Sequence, residues 1–503
     1  MKISAIMAYA NLFVNLLYHV LITPVVIRLY GQSEYGIFSV CTSVIQYLNL
    51  FQFGFGTTYM RYFIKFEQQE NQRKAEELNG MFLLIYAIII VVVIVAGIFL
   101  VVNIESVLGE KITTSEYATA KKLLVLMLIN MTVTLSTTQF TIFAMIREKF
   151  VFQKGLTLCV SAVKPFAVLL IVLLGYKSVE VTMFITFLTL FSSVISAWYC
   201  FARLKMKFRF SGFDIQLFSE MSSFTFFIFL QQIMDIINWQ IDKFLVARFW
   251  GAKEAAVYAV GALFCNVYLQ FSTAITQLFV PRANRIVAQK LGDEPLSDLL
   301  IKTGRIQFFI VTFVMLSFIV FGQSGIHFFV GKGYENVYYV GLFLMLPLIM
   351  PLSMNLAIHI LRAKAKHKVQ SVIYILVAFL NFLVSIPLCR FYGEVGAAFG
   401  TFIGMIVANN IIQIIYIQKV GGLDIKRWFR EIFSICQSFV IPIVVGMFIM
   451  IFIDTMYIPA FLVSGVFFTM VYMGSAWRLG MNAEEKKIIS TSIGIIFKNV
   501  GKK

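Results

Sequence analysis

The sequence has few charged residues, and this scarcity excludes most soluble folds. Asp, Glu, Lys and Arg make up only 13% of its 503 residues, whereas 60% are hydrophobic and the mean hydropathy is +0.86. Soluble domains contain about 25% charged residues, and a soluble chain could not bury this much apolar surface. The composition therefore predicts a membrane protein.

Motifs for catalysis and for metal binding are also missing from the sequence. The six cysteines are scattered without a CxxC pair, and the four histidines lie far apart. Isolated cysteines in apolar segments are typical of small buried hydrophobic residues. There is no glycine-rich nucleotide-binding loop and no supported Ser-His-Asp arrangement. We therefore expect no enzyme, no catalytic residue, no metal site and no bound cofactor.

Apolar runs of the length that crosses a bilayer, about 20 residues, recur along the whole chain. The first run begins almost at Met1 and lacks a small-residue cleavage site, so we expect it to be a retained helix. The runs predict an all-α polytopic membrane protein with about fourteen spans, at residues 4–27, 36–60, 80–102, 122–146, 153–175, 179–202, 218–241, 254–281, 305–330, 337–361, 369–389, 394–417, 433–454 and 458–477.

Lysine and arginine are distributed unevenly over the connections between these spans. With the N-terminus in the cytoplasm, 31 of them lie on the cytoplasmic side and ten on the outer side. Cytoplasmic loops of membrane proteins carry such an excess, so both termini are predicted to be cytoplasmic. The same excess explains most of the net charge of +17, and we expect no nucleic-acid partner.

The chain contains an internal repeat at an offset of 220 residues. The segment 26–34, VIRLYGQSE, aligns without a gap with 246–254, VARFWGAKE, after spans 1 and 7 respectively. Because six spans separate the copies, the repeat predicts two six-helix lobes of the same orientation around a central cavity, followed by two extra helices. The predicted boundaries are 1–210 (N-lobe), 211–420 (C-lobe), 421–480 (spans 13 and 14) and 481–503 (cytoplasmic amphipathic tail).

Polar side chains form stripes inside matching spans of the two halves. The stripe residues are Asn15 and His19 in span 1, Gln231, Asp235 and Asn238 in span 7, and Gln270 in span 8. Unsatisfied polar groups in hydrocarbon cost several kcal/mol each. Hydrogen bonds between helices, which contribute about 0.6 kcal/mol each, explain isolated polar residues. For matched stripes we favour a water-filled cavity.

Lys164 is the one basic residue that falls near the middle of a predicted span. An unpaired ammonium there costs at least about 2.5–3.5 kcal/mol, so we expect it to face water, an acidic partner or an anionic ligand. It either pairs with Asp235 or belongs to a site for the substrate or a coupling ion.

Four arginines lie at the predicted ends of matching spans. Arg61 and Arg282 end spans 2 and 8 on the cytoplasmic side, and Arg28 and Arg248 lie on the outer side. Arginines at these depths either extend to the interface as topological signals or bind phosphate oxygens with their fork-shaped guanidinium groups.

Several segments carry a resemblance to a known family: Arg28–Phe38, Phe53–Arg61, Asp242–Phe244 leading to Tyr258, and Phe279–Pro281. Through them the chain resembles the polysaccharide-transporter branch of the MOP superfamily, which contains flippases for O-antigen and exopolysaccharide. The resemblance covers the full length, since members have twelve to fourteen helices in two lobes. The superfamily also contains multidrug and toxin extruders and the peptidoglycan lipid flippase.

The resemblance implies a function at the bacterial cytoplasmic (inner) membrane. It implies export of undecaprenyl-diphosphate-linked oligosaccharide repeat units, for the O-antigen of lipopolysaccharide, capsule or exopolysaccharide, by alternating access. It also implies that Lys164, followed by Arg61 and Arg282, binds the pyrophosphate, and that Asp235 couples transport to H+ or Na+. The implied partners are the lipid-diphosphate-linked sugar, membrane lipids, a polysaccharide polymerase and a chain-length regulator.

Two alternatives to the flippase stay open. A multidrug or toxin extruder would have the same fold, although such proteins favour acidic and aromatic cavities whereas Lys164 is basic. A membrane polysaccharide polymerase would have a large outer loop, and the outer connections of this sequence are short.

Overall fold

The computed structural model describes residues 17–52, 54–210, 214–364 and 368–487, together with Met7, Ala10, Asn11, Val14, Asn15 and Ser490. Within these ranges, the side chains outside the description are those of residues 223, 224, 227, 228, 231, 234, 235, 237, 238 and 368–377. Every regular element in the described part of the chain is a helix. The protein is an all-α, multi-pass membrane protein.

We number the α-helices in chain order: α1 Thr23–Leu48, α2 Phe55–Gln68, α3 Gln72–Val102, α4 Ile104–Leu108, α5 Thr114–Ile146, α6 Phe150–Leu173, α7 Ser178–Ala202, α8 Ile215–Trp250, α9 Ala252–Ala288, α10 Glu294–Val330, α11 Val337–Met345, α12 Ile349–Ser353, α13 Asn355–Ala363, α14 Lys368–Met405, α15 Gln413–Lys419, α16 Ile425–Cys436, α17 Val440–Phe452 and α18 Ile458–Ser475. Shorter pieces of π- and 3-10 helix join some of them, including Tyr18–Ile22 before α1 and Asn49–Gln52 after it.

Among the described residues, nine helical stretches are long and apolar enough to cross a membrane. The pair Val337–Ser353 and Asn355–Ala363, bent by 51°, would make a tenth. Eight of the 24 residues of predicted span 1 lie outside the described residues. Spans 11 and 12 join in α14 across Gly393, whose φ is +64°. The count of fourteen spans therefore stays a prediction.

The first of two compact units comprises Met1–Ala259 and Phe382–Ala397. Its largest core cluster is aromatic and includes Tyr59, Phe82 and Phe143, all almost completely buried. The hydroxyl of Tyr59 donates to Asn79 Oδ1 at 2.6 Å, and Asn79 Nδ2 donates to the carbonyl of Lys207 at 2.8 Å. These bonds satisfy the polar groups that the core would otherwise leave unpaired.

The second unit comprises Val260–Asn381 and Ala398–Lys503. Its core packs α16, centred on the fully buried Trp428, against α10 and α13. Arg305 on α10 is 6% exposed and donates to Glu485 through Nε at 2.7 Å and Nη2 at 3.1 Å. Its Nη1 also donates to Glu431 Oε2 at 3.1 Å. The first residues of the predicted tail are thereby held on α10.

The rest of that tail, residues 488–489 and 491–503, lies outside the described residues. The two units are defined by which residues pack together. They do not test the lobe boundaries predicted at residues 210, 420 and 480, which stay predictions.

The internal repeat is visible in the backbone and in the packing of each unit. Glycines with positive φ recur at offsets of about 220 residues: Gly31 with Gly251, Gly109 with Gly331, and Gly175 with Gly393. Cys41 on α1 contacts the carbonyl of Ala120 on α5. At an offset of 220, Gly261 on α9 lies against Val340 on α11. The segment α11–α13 therefore repeats α5.

Candidate functional site

Lys164 lies on α6 with its ammonium nitrogen 5.3 Å from the ring centroid of Tyr18. Tyr18 begins the π-helical turn Tyr18–Ile22, which packs against α6. Within the described residues, Lys164 makes no ion pair with a carboxylate. The face of an aromatic ring attracts a cation without neutralising its charge. The positive charge of Lys164 is therefore still able to bind an anion.

A second predicted residue, His19, lies close to this lysine, and Asn15 lies near His19 in the sequence. His19 is adjacent to Tyr18, with a ring-centroid distance of 5.5 Å, and is near enough to Lys164 for electrostatic interaction. Asn15, one helical turn earlier, is exposed and donates to the carbonyl of Asn11 at 2.9 Å. The structure thus brings His19 and Lys164 together in the first unit, and Asn15 lies one helical turn before His19.

The predicted residues of span 7 cannot be placed in the same way. Gln231, Asp235 and Asn238 belong to α8, but their side chains lie outside the description. The pairing of Lys164 with Asp235 and the role of Asp235 as a coupling-ion site stay hypotheses.

Gln270 belongs to a polar face of α9 in the second unit. Asn266, Gln270, Thr273 and Gln277 are all exposed and are spaced i, i+4, i+7 and i+11, which places them on one side of the helix. Exposed amides at this depth suit water rather than lipid. Arg282, also exposed, lies five residues beyond Gln277 near the end of the same helix.

Arg61 and Arg248 belong to helices other than α6, the helix of Lys164. Arg61 is exposed on α2, which packs mainly against α3, α5 and α8. Arg248 donates from Nη1 to the carbonyl oxygens of Ser106 and Val107, at 2.8 and 2.7 Å. Since these carbonyls end the short helix α4, Arg248 stabilises a helix terminus.

The repeated segment around Gly31 has a structural role. Glu34 accepts hydrogen bonds from the backbone N–H of Ser178, at 3.3 Å, and from its hydroxyl. Ser33 donates to Glu116 near the beginning of α5. The carboxylate of Glu34 thus satisfies the N-terminus of α7, and the segment ties the beginnings of α5 and α7 to α1.

Sequence reasoning missed a pair of uncharged cavities in the first unit. One has a volume of about 300 Å³ and is lined by residues that include Gln46, Asn49 and Asn130. The other has a volume of about 320 Å³ and is lined by residues that include Gln153 and Thr157. Thr134 on α5 lines both cavities. We call the two together the neutral cleft, because no charged residue is among the described residues that line it.

The signal for the neutral cleft was present in the sequence as a run of hydroxyl residues in α5, at positions 132, 134, 136, 137, 138 and 141. Isolated threonines in a membrane helix are usually explained by hydrogen bonding within or between helices. From the sequence alone there was no reason to prefer a cavity.

Comparison with known protein families gives one match that bears on this site. A family model described as "Polysaccharide biosynthesis protein" matches residues 2–287, more than half of the chain, and the match includes Lys164 and the neutral cleft. Comparison with curated protein sequences gives no match.

Solved structures with the same fold are transporters by their descriptions. A lipid II flippase MurJ in an inward closed conformation superposes with a TM-score of 0.73 at 15% identity, covering 95% of this chain and 98% of that one. A multidrug resistance MATE family transporter of the MOP superfamily in an inward-facing conformation gives 0.61 at 12% identity, covering 82% and 95%. The Vibrio cholerae MATE transporter VcmN in its bent form gives 0.53 at 14% identity, covering 83% and 96%.

These superpositions establish a shared fold, and the family match adds the sequence relationship. The chain belongs to the polysaccharide biosynthesis protein family.

Proposed function

We propose that this protein is a flippase that exports undecaprenyl-diphosphate-linked oligosaccharide repeat units across the bacterial cytoplasmic membrane by alternating access. The repeat units would serve O-antigen, capsule or exopolysaccharide synthesis. Membership of a polysaccharide biosynthesis family and the transporter fold both support this function.

The observation that carries the proposal is the position of Lys164. Its ammonium group lies within a membrane helix against the ring of Tyr18 and has no carboxylate partner among the described residues. Keeping an ammonium charged in such a place is costly unless it binds an anion. A lipid diphosphate supplies that anion, and each oxygen that Lys164 contacts reduces the cost of moving the headgroup through the membrane.

The neighbours of Lys164 suit the same ligand. The amide of Asn15 is exposed and can donate hydrogen bonds to phosphate oxygens, and the imidazole of His19 can do so through a ring N–H. Neither residue carries a fixed negative charge that would repel a diphosphate. A cationic drug would instead meet the repulsion of Lys164, so the multidrug alternative is less well supported.

The proposal includes a cytoplasmic location for both termini, because this orientation places the larger number of basic residues inside. It also includes coupling to H+ or Na+ through Asp235, and cooperation with a polysaccharide polymerase and a chain-length regulator that use the exported lipid-linked sugar.

The first test uses cells that lack the gene. We expect loss of surface glycan together with lipid-linked repeat units trapped in the cytoplasmic leaflet, measured by mass spectrometry of extracted lipids, and recovery of both by the intact gene. Normal surface glycan without trapped lipid, in cells without a redundant exporter, would contradict a flippase and favour small-molecule extrusion.

The second test addresses Lys164 directly. Lys164→Met, at verified membrane levels, should fail to restore surface glycan, whereas Lys164→Arg should restore part of it because the charge is kept. Lys177→Ala, which changes an exposed lysine at the beginning of α7, serves as the control. Full restoration by Lys164→Met would refute the assignment of the diphosphate site.

A further inference from the structure

We infer that the neutral cleft binds the sugar portion of the lipid-linked substrate, so that one ligand occupies Lys164 with its diphosphate and the cleft with its neutral saccharide. This inference rests on the proposed function and adds to it a separate site, with a chemistry different from that of the lysine.

The first argument is the hydrogen-bonding character of the cleft. The hydroxyls of Thr134, Thr138 and Thr157 each donate to a backbone carbonyl of their own helix, at 2.9 Å in all three cases. A hydroxyl that donates in this way keeps its oxygen lone pairs free as acceptors. Within the described part of the chain, the buried Oε1 atom of Gln153 also lacks a donor. The cleft is therefore rich in acceptors, and a saccharide offers many O–H donors.

The second argument is the absence of charge. Among the described residues, hydroxyl, amide and apolar side chains line both cavities. A phosphate or a cationic drug would be poorly stabilised there because no opposite charge is available to replace its hydration. A neutral polyhydroxylated molecule exchanges water hydrogen bonds for protein hydrogen bonds without that penalty. The volumes of about 300 and 320 Å³ lie at the lower end of the range of small-ligand sites, which is roughly 300–1,000 Å³.

The third argument is the position of the cleft along α6. Gln153, Thr157 and Lys164 are spaced i, i+4 and i+11, which places them on the same face of the helix. A rise of about 1.5 Å per residue separates Thr157 from Lys164 by roughly 10 Å along the axis. A diphosphate bound by Lys164 therefore lies within reach of a sugar ring bound in the cleft.

The fourth argument is a break in the helical backbone at the edge of the cleft. Helix α1 ends at Leu48, a 3-10 turn follows, and Gly54 has a φ of +74° before α2 begins. Asn49 Nδ2 donates to Gln46 Oε1 at 2.8 Å, which orients this amide pair beside the cavity. Irregular backbone at membrane depth is tolerated where it lines a cavity or is buried in protein.

The test measures binding of two soluble or dispersed probes to the full-length protein in nanodiscs. One probe is the phosphate-free oligosaccharide released from its lipid carrier by mild acid, and the other is undecaprenyl diphosphate without sugar. The variants are Thr134→Val, which removes the hydroxyl shared by both cavities, and Lys164→Met. Thr132→Val on the same helix, outside both cavity linings, is the matched control.

We expect Thr134→Val to weaken oligosaccharide binding about fivefold, the effect of one lost hydrogen bond, and to leave undecaprenyl diphosphate binding unchanged. Lys164→Met should do the reverse, and Thr132→Val should bind both probes as the parent protein does. Unchanged binding of undecaprenyl diphosphate also shows that Thr134→Val is correctly folded.

Oligosaccharide binding that is equal in Thr134→Val and in the parent protein would overturn the inference. The inference would also be overturned if Thr134→Val lost Na+ binding while its oligosaccharide binding stayed unchanged, because the cleft would then be a cation site. Failure of the proposed function is recognised separately, as undecaprenyl diphosphate binding that survives Lys164→Met.

Discussion

Helix α5 in the first unit and its repeat, α11–α13 in the second, occupy equivalent positions in the repeat. The residues compared below are polar in α5 and apolar in α11–α13. At an offset of 220 residues, Thr137 corresponds to Ala357 and Thr141 to Leu361. The two threonines line the neutral cleft, whereas Ala357 and Leu361 are fully buried in an apolar core. The repeat thus preserves the helical scaffold, whereas at these positions α11–α13 packs into the core and α5 lines a cavity.

The two units also differ in how a charged side chain inside each of them is paired. In the second unit, the buried guanidinium of Arg305 is matched by Glu485 and Glu431. In the first unit, Lys164 lies beside an aromatic ring and has no carboxylate partner among the described residues. A matched buried charge stabilises one conformation, whereas the unmatched charge of Lys164 supports the proposed diphosphate site.

The largest expected effect comes from breaking the matched charge. Arg305→Met leaves the carboxylate of Glu485, 5% exposed, without its partner, and should lower the free energy of unfolding by about 3–5 kcal/mol. Thermal unfolding in detergent measures the change. Arg427→Met removes an exposed pair with Asp298 and should cost about 1 kcal/mol or less. Equal effects of the two substitutions would mean that Arg305 does not anchor the chain after α18.

A second substitution tests the contact between the two repeated segments. A Cβ on Gly36 would lie 1.8 Å from the carbonyl oxygen of Ala252, so Gly36→Ala forces two pieces of backbone apart. We expect a loss of roughly 1–3 kcal/mol in the free energy of unfolding, as for other overpacked sites.

The control for Gly36 is Gly474→Ala on α18, where no atom of the described chain lies within 4 Å of the added carbon. Alanine is a better helix former than glycine, and this variant should be as stable as the parent or slightly more so. Stability of Gly36→Ala equal to that of Gly474→Ala would show that the repeated segments need not approach so closely.

Those features that depend on local sequence could be predicted. Runs of apolar residues located the helices, and the repeated Arg-aromatic-Gly pattern located Gly31 and Gly251, which both have positive φ. Lys164 could be singled out because a single charge inside an apolar run is visible without any knowledge of its neighbours.

Features that depend on distant partners could not be predicted. Arg305 is the first residue of the predicted span 305–330, where a basic residue is explained by topology alone, and its partners lie 126 and 180 residues further along the chain. The neutral cleft was missed because hydroxyls that bond to their own helix backbone have the same sequence pattern whether or not a cavity lies in front of them.

A third prediction replaces two cleft residues of α5 by the residues at the equivalent positions of its repeat in the second unit. The double variant Thr137→Ala, Thr141→Leu gives α5 the residues of its repeat and removes two hydroxyls from the cleft. Transport of the lipid-linked sugar should fall about tenfold, because hydrogen bonds to the saccharide are lost. Stability should fall only slightly, since the side-chain contacts that are lost are the bond between the Thr137 and Ser193 hydroxyls and the long bond, 3.4 Å, that Gln153 Nε2 donates to Thr141.

The reverse substitution, Ala357→Thr, is the counterpart in the second unit. It buries a hydroxyl in an apolar core and should lower the free energy of unfolding by about 1–3 kcal/mol without a specific effect on saccharide binding. Transport by the double variant at the level of the parent protein would show that the polar surface of α5 has no part in transport.

The smallest expected effect concerns pH and the residues after α18. Lys302 Nζ lies 2.5 Å from Glu484 Oε2, and this ammonium lowers the pKa of the exposed Glu484 carboxyl below its ordinary value of 4.5. A carboxyl with a lowered folded-state pKa adds stability above its unfolded-state pKa and loses it as the pH falls through the folded-state value. Lys302→Ala should therefore melt slightly below the parent protein at neutral pH, and the two melting temperatures should converge in acid. Because the pair is exposed, the difference at neutral pH should be smaller than that caused by Arg305→Met. A difference that persists after Glu484 is protonated would show that Lys302 acts through packing instead of through charge.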